Sequence, residues 1–178
     1  GIRAPGCADY SRRQTDELTE LAKAQGAKGL VTLAYFEDEV KGPVAKFLSE
    51  QELNAIQKTL RLEPGDLACI VAAEPAVVAA SLSALRLAFR DRLSLADPDV
   101  VAFGWVLDFP MFEWNEDEDR WDAAHHPFTM PRPHDYEVMT EDPSAVLSEA
   151  YDLVCNGYEL ASGSIRVHDP RIQSEIFR

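Results

Sequence analysis

Cysteine is scarce in this chain of 178 residues, which contains three cysteines and no Cys-x-x-Cys pair. Cys7, Cys69 and Cys155 are odd in number and widely separated, so we predict free thiols and neither a disulfide nor a zinc site. Free thiols are typical of a reducing compartment, and we therefore expect a cytoplasmic protein.

Long apolar segments are also absent. Residues 66–80 come closest to one, but Asp66, Glu74 and Pro75 interrupt them. Because a helix needs roughly 20 consecutive apolar residues to cross a bilayer, we expect no transmembrane segment and no membrane partner.

Positive charge is low, with 17 Lys and Arg against 31 Asp and Glu and a formal net charge of −14. Lys and Arg drive phosphate binding, so the composition excludes a nucleic-acid platform over the whole surface but leaves a local basic patch open. We interpret the acidity mainly as a contribution to solubility. If the parent protein binds RNA, we expect much of the contact to lie outside this chain.

Apolar residues make up 46% of the sequence, enough for one domain or two small ones. A polar, proline-containing stretch at 95–99 predicts a boundary near residue 100. Before it, apolar spacing and serine capping signals predict helices at 11–25, 49–60 and 75–93, and strands at 29–36 and 67–72. This order suits an α+β module with its helices packed on one face of a small sheet.

The sequence after the boundary is richer in aromatic residues and prolines. Its pattern predicts a long strand at 100–109, a hairpin with a solvated acidic tip at 115–119, two extended or partly helical segments at 144–161 and 163–168 joined at 161–163, and a short helix from Asp169. We expect this part to contribute antiparallel strands, with unpaired edges and an exposed apolar face if it is isolated.

Chemistry-bearing residues are concentrated in three motifs within 42 residues. These are His-His-Pro-Phe-Thr at 125–129, Tyr-Asp-Leu-Val-Cys-Asn-Gly-Tyr-Glu at 151–159, and Ser-Gly-Ser-Ile-Arg at 162–166. Two imidazoles, two spaced carboxylates and an arginine suit an anionic, metal-bound ligand. Leu153 and Leu160 fall between the polar groups, which indicates that these groups share one face of strands.

These motifs, in this order, resemble bacterial-type aspartyl-tRNA synthetase, a class II enzyme. Residues 1–100 resemble its GAD insertion domain at 26–30, 42–47, 64–66 and 84–87. Residues 101–178 resemble part of its catalytic core at 105–113, 125–129, 156–159 and 163–168. The resemblance implies an α+β fold, ATP and Mg²⁺ as cofactors, L-aspartate and tRNA(Asp) as partners, and a homodimer in the complete enzyme.

The resemblance also implies roles for particular residues. It implies that Arg166 is catalytic and binds aspartate, and that His125 and His126 also bind aspartate. Glu159 is catalytic and contacts ATP, Ser164 contacts ATP, and Asp152 with Glu159 holds the metal. A guanidinium matches a carboxylate with two parallel hydrogen bonds, which lysine cannot provide. Adjacent residues of an extended chain point in opposite directions, so we expect only one of the two histidines to face the ligand.

The sequence departs from the family in several respects. We find neither the dimer-forming motif nor the ATP-binding arginine motifs, so we expect the 178 residues alone to be inactive. The family's Gly-Gly-Gly-Ser turn is replaced here by Ala-Ser-Gly-Ser at 161–164. An alternative is a non-catalytic RNA- or protein-binding module, since a GAD domain also occurs in a tRNA-dependent amidotransferase subunit. We interpret His134 and His168 as structural, and the early cations Arg3, Arg12, Arg13 and Lys23 as scattered surface charge.

Overall fold

The computed structural model describes residues 1–177 and separates the chain into two compact units, one of which spans Gly1–Asp97 while the other begins at Pro98. The fold is α+β with antiparallel strands, as predicted. All three cysteines are free, also as predicted. Within residues 1–177, no helix is long and apolar enough to span a bilayer.

The first unit contains three helices and a four-stranded antiparallel sheet. In chain order its elements are β1 (Ile2–Ala4), α1 (Arg12–Lys23), β2 (Val31–Tyr35), β3 (Val40–Lys41), α2 (Glu50–Leu60), β4 (Leu67–Ile70) and α3 (Pro75–Arg92). The strand order is β1-β4-β2-β3. The three helices and the two longer strands were predicted, whereas β1 and β3 are too short to give a periodic signal.

Helices cover both faces of this sheet, so the prediction that they pack on one face is wrong. On one side, Leu67 and Cys69 of β4 join a buried cluster with Leu18 of α1 and Leu85 of α3. On the other side, Ala68 joins a cluster that packs against α2. Successive strand residues point to opposite faces. The unbroken apolar run of β4 therefore fits a strand that is buried on both sides.

Helices α1 and α2 begin with the same capping motif, but its third helical residue is the neutral Gln14 in α1 and the acidic Glu52 in α2. The Ser11 side chain accepts from the Gln14 N–H and the Gln14 side chain accepts from the Ser11 N–H. In α2, Ser49 and Glu52 make the equivalent pair, with 2.8 Å between the Ser49 nitrogen and the Glu52 carboxylate. The backbone hydrogen bond from Ser49, and secondly its hydroxyl, lower the pKa of Glu52 below its usual value of 4.5.

A pH dependence follows for the Glu52 cap. Because the folded-state pKa is the lower one, its stabilising contribution is fully present above pH 4.5 and is lost as the pH falls through the folded-state pKa. We expect the chain to be more stable than its Glu52→Gln variant at neutral pH, and this difference to vanish in acid. Urea unfolding at several pH values measures it, with Glu50→Gln as a first-turn control. A pH-independent difference would contradict the assignment.

The second unit contains a three-stranded sheet, a separate hairpin and a short helix. Its elements are β5 (Phe103–Val106), β6 (Phe112–Asn115), β7 (Arg120–Ala123), β8 (Ala150–Cys155), β9 (Tyr158–Ser164) and α4 (Pro170–Ile176). The three-stranded sheet has the antiparallel order β5-β8-β9, and β6 pairs with β7. The predicted hairpin with the acidic tip and the predicted terminal helix, capped by Asp169, are confirmed.

Two predictions for this unit are wrong. The strand predicted at 100–109 is reduced to the four residues of β5. The turn predicted at 161–163 lies inside β9, and the chain reverses instead at Asn156-Gly157, where φ is +49° and +87°. Asn-Gly is a strong signal for a two-residue hairpin turn because both positions need positive φ.

Apolar side chains of the three-stranded sheet are exposed, as expected. Phe103 and Trp105 of β5 are 64% and 62% exposed, and Leu160 of β9 is 58% exposed. β5 and β9 are the outer strands of this sheet.

Candidate active site

The β8–β9 hairpin places the two predicted carboxylates on one face. Asp152 pairs with Ser162, and Val154 pairs with Glu159. The register shifts between these pairs, so Leu160 is the extra residue of a β-bulge. Paired residues share a face and faces alternate along a strand. Glu159 therefore lies on the Asp152 face because of the bulge; in a regular strand it would lie on the opposite face from Ser162.

This face is open to solvent. Glu159 and Ser162 are exposed, and Asp152 and Ser164 are half-buried. Within residues 1–177, no group of three or more His, Cys, Asp or Glu side chains is arranged to hold a metal ion. Mg²⁺ typically takes only one or two protein carboxylates and completes its shell with phosphate and water. Asp152 and Glu159 supply that number of carboxylates from one face of the hairpin.

The His-His-Pro-Phe-Thr loop is held against the chain beyond β9. Thr129 and Arg166 form an isolated antiparallel bridge, and the Val167 N–H donates to the Phe128 carbonyl at 2.9 Å. The Arg166 guanidinium lies 3.0 Å from Nδ1 of His126. Two of the predicted site residues, 40 positions apart in sequence, are therefore in direct contact.

The surroundings of His126 define its tautomer. Nδ1 faces the Arg166 guanidinium at 3.0 Å and the Phe128 N–H at 3.2 Å. Both groups can only donate, and a ring nitrogen accepts only when it carries no proton. The geometry therefore assigns the proton to Nε2, which leaves His126 with an N–H donor for an anionic ligand.

We expect ¹⁵N NMR of the 178-residue chain to show that Nε2 of the His126 ring carries the proton and that Nδ1 carries none. His125 is the internal control, because its ring makes no hydrogen bond to the described residues 1–177. It should show a mixture of tautomers. A His126 ring protonated at Nδ1 would contradict the assignment.

His125 has different neighbours from His126. Its ring packs edge-on against Phe109, with ring centroids 5.2 Å apart and planes at 77°. Both histidines line a pocket of about 510 Å³ together with Arg120 and Trp121. Arg166, Glu159 and Asp152 are not among its lining residues.

Thr129 is a site residue that the sequence did not single out. It is 2% exposed, and its hydroxyl lies 3.4 Å from Nδ1 of His126 and 3.5 Å from Oγ of Ser164. It connects the histidine loop to the end of β9. A threonine among Pro127, Phe128 and Met130 is the sequence signal, because a buried hydroxyl between apolar residues needs hydrogen-bonding partners.

An ion pair that the sequence did not predict lies next to the residue that packs against His125. Asp108, whose φ is +65°, is bonded to the Arg132 guanidinium. The next residue, Phe109, carries the ring against which His125 packs, and its carbonyl accepts from the Ser148 hydroxyl at 3.2 Å.

Comparison with known proteins identifies the family of this chain. The sequence model of the family described as "tRNA synthetases class II (D, K and N)" matches residues 11–178. The chain therefore belongs to this class II tRNA synthetase family.

Relatives within the family cover the whole chain. An aspartate–tRNA(Asp/Asn) ligase of Rubrobacter xylanophilus is 51% identical over 177 residues, which are 99% of this chain and 30% of that protein. An aspartate–tRNA ligase of Clostridium novyi is 49% identical over 177 residues, with the same coverage. An aspartate–tRNA(Asp/Asn) ligase of Bacillus mycoides is 48% identical over 178 residues. The chain spans about 30% of the length of these relatives.

Proposed function

We propose that the gene product containing this chain is an aspartate–tRNA ligase, which activates L-aspartate with ATP and transfers it to tRNA(Asp). The observation that carries the proposal is the Arg166–His126 contact at 3.0 Å, next to the strand whose open face presents Asp152 and Glu159. The named relatives support the choice of amino acid. We further propose that the gene product is a cytoplasmic homodimer.

Arg166 and His126 are proposed to bind the side-chain carboxylate of aspartate. Arg166 is exposed and donates to His126 through one terminal nitrogen, Nη1. Its other N–H groups remain for a carboxylate. The Nε2–H of His126 is a separate donor on the other side of the ring. Asparagine would present an amide NH₂ to these donors, so the arrangement favours aspartate.

Glu159, Asp152 and Ser164 are proposed to bind ATP and Mg²⁺. They share one face of the β8–β9 hairpin, and Glu159 and Asp152 would hold the ion. When bound, Mg²⁺ neutralises phosphate charge. The protein side chains contribute by fixing the α-phosphate and the aspartate carboxylate at reacting distance, since activation needs alignment more than covalent catalysis.

The two units are proposed to be different parts of the enzyme. Residues 1–100 would be the GAD insertion domain and residues 101–178 part of the class II catalytic core. The division between Asp97 and Pro98 is compatible with this assignment. We propose that the 178 residues alone do not activate aspartate, because the family's ATP-binding arginine motifs are not among them.

The proposal is tested by charging tRNA with the purified gene product. Labelled aspartate and asparagine are offered separately, each with tRNA(Asp) and with tRNA(Asn) transcripts. We expect ATP-dependent aspartyl-tRNA(Asp) and no asparaginyl-tRNA. Failure to acylate tRNA(Asp), or charging with asparagine, would overturn the proposal. The tRNA(Asn) reaction reports how far the enzyme discriminates between the two tRNAs.

A further inference from the structure

Charge is distributed unequally between the two units. Residues 1–97 carry 12 Lys and Arg against 14 Asp and Glu, whereas residues 98–178 carry 5 against 17. The first unit is therefore nearly neutral, and a local cationic site there would not be overwhelmed by its own net charge.

Most early cations of the first unit are neutralised by nearby carboxylates. Arg12 and Arg13 pair with acidic residues one turn later in α1, and Lys23 pairs with Glu20. By contrast, the side chains of Arg61 and Arg86 are exposed and have no ion pair or hydrogen bond to residues 1–177. Two available guanidinium groups are therefore present in this unit.

Arg61 and Arg86 line the same pocket. Its volume is about 400 Å³, within the usual range for small-ligand sites. Its apolar lining comes mainly from Ile2, Leu60, Phe89 and Leu95. Leu95 is 60% exposed. Arg3 also lines the pocket, but it is paired with Glu63 and Asp66. The pocket thus combines two unpaired guanidinium groups with an apolar surface.

The backbone at Arg61 is held in place by Arg3, which is itself paired with a buried carboxylate. Arg61 ends α2 in the left-handed conformation, with φ at +53°, and its carbonyl accepts from Arg3 at 2.8 Å. Arg3 also donates to Glu63 at 2.7 Å. Its Nε lies 2.7 Å from Asp66, which is 3% exposed, in a close ion pair without hydrogen-bond alignment. Arg3 is therefore neutralised and fixes position 61.

We propose that this pocket is a binding site for a nucleotide-sized, phosphate-bearing ligand. Guanidinium groups bind phosphate oxygens through paired, charge-assisted hydrogen bonds. The accessible apolar surface of Ile2, Leu60 and Leu95 suits the face of a base. The phosphate could belong to a free nucleotide or to one nucleotide of an RNA strand, and both supply the same chemistry.

Binding to the 178-residue chain is measured by NMR titration with two probes, AMP and a single-stranded RNA decanucleotide. We expect at least one probe to shift the Arg61 and Arg86 side-chain signals and the Leu60 and Leu95 methyl signals. The Kd of that probe should rise by at least about tenfold in the double variant Arg61→Gln/Arg86→Gln, because charge-assisted hydrogen bonds to the phosphate are lost. The probe that binds identifies the source of the phosphate.

The matched control is Lys58→Gln. Lys58 is exposed on α2 three residues before Arg61, and it does not line the pocket. Its variant should bind within about twofold of the unchanged chain. A second double variant, Arg61→Lys/Arg86→Lys, keeps the charge but removes the planar fork and should bind with intermediate affinity. Equal affinities for the glutamine double variant and Lys58→Gln, or millimolar binding of both probes away from Arg61 and Arg86, would overturn the proposal.

Discussion

Replacing Arg166 by lysine is expected to lower kcat/KM for aspartate by at least about 100-fold in the gene product that contains this chain. Lysine retains the positive charge but loses the planar fork that fits a carboxylate. It also loses the Nη1 donor that lies 3.0 Å from Nδ1 of His126. The loss is measured as aspartate-dependent ATP–pyrophosphate exchange at varied aspartate concentrations.

Arg171→Lys is the matched control for this experiment. Arg171 is an exposed arginine five residues further on, and it pairs with Asp169 at 2.7 Å. Its side-chain hydrogen bond, followed by its backbone N–H, lowers the pKa of Asp169 to about 2. We expect near-normal exchange in this variant. Near-normal aspartate KM and kcat in Arg166→Lys would contradict the role of Arg166.

Replacing Leu85 by alanine is expected to destabilise the first unit by about 2–5 kcal/mol. Leu85 is fully buried between α3 and the sheet, in the cluster that includes Leu18 and Phe89. Shortening it leaves a cavity as well as losing buried apolar surface. Hydrogen exchange of the β4 amides measures the opening of this unit separately from the second unit.

Leu87→Ala provides the control for the cavity. Leu87 lies on the same helix, and its side chain is 39% exposed. We expect its variant to change the free energy of opening by less than about 1 kcal/mol, because leucine and alanine differ little in helix propensity. Equal losses in the two variants would show that the core of the first unit is not the one described.

Local signals predicted the helices well. Ser11 and Ser49 begin their helices with the predicted side-chain caps, and Pro75 begins α3. The packing of the sheet was harder: the unbroken apolar run of β4 is typical of a strand covered on both faces, but the prediction placed the helices on one face. A long apolar pattern likewise overestimated β5, since exposed Phe103 and Trp105 have the composition of a buried strand.

The site depends on features that residue order alone does not contain. The bulge at Leu160 decides which face Glu159 shares, and the prediction of the two segments did not include this extra residue. The contact between His126 and Arg166 requires two segments to pair at Thr129. The residue types were recognisable as suitable for an anionic ligand, whereas the tautomer of His126 needed the positions of its two donors.

Amino-acid-dependent ATP–pyrophosphate exchange by the gene product is the most direct test of the central claim, that it activates L-aspartate. L-aspartate, L-asparagine and L-lysine are compared, since the family is that of the D, K and N enzymes. We predict exchange with aspartate and none with the other two. Exchange that depends on asparagine or lysine, or no exchange with aspartate, would contradict the claim.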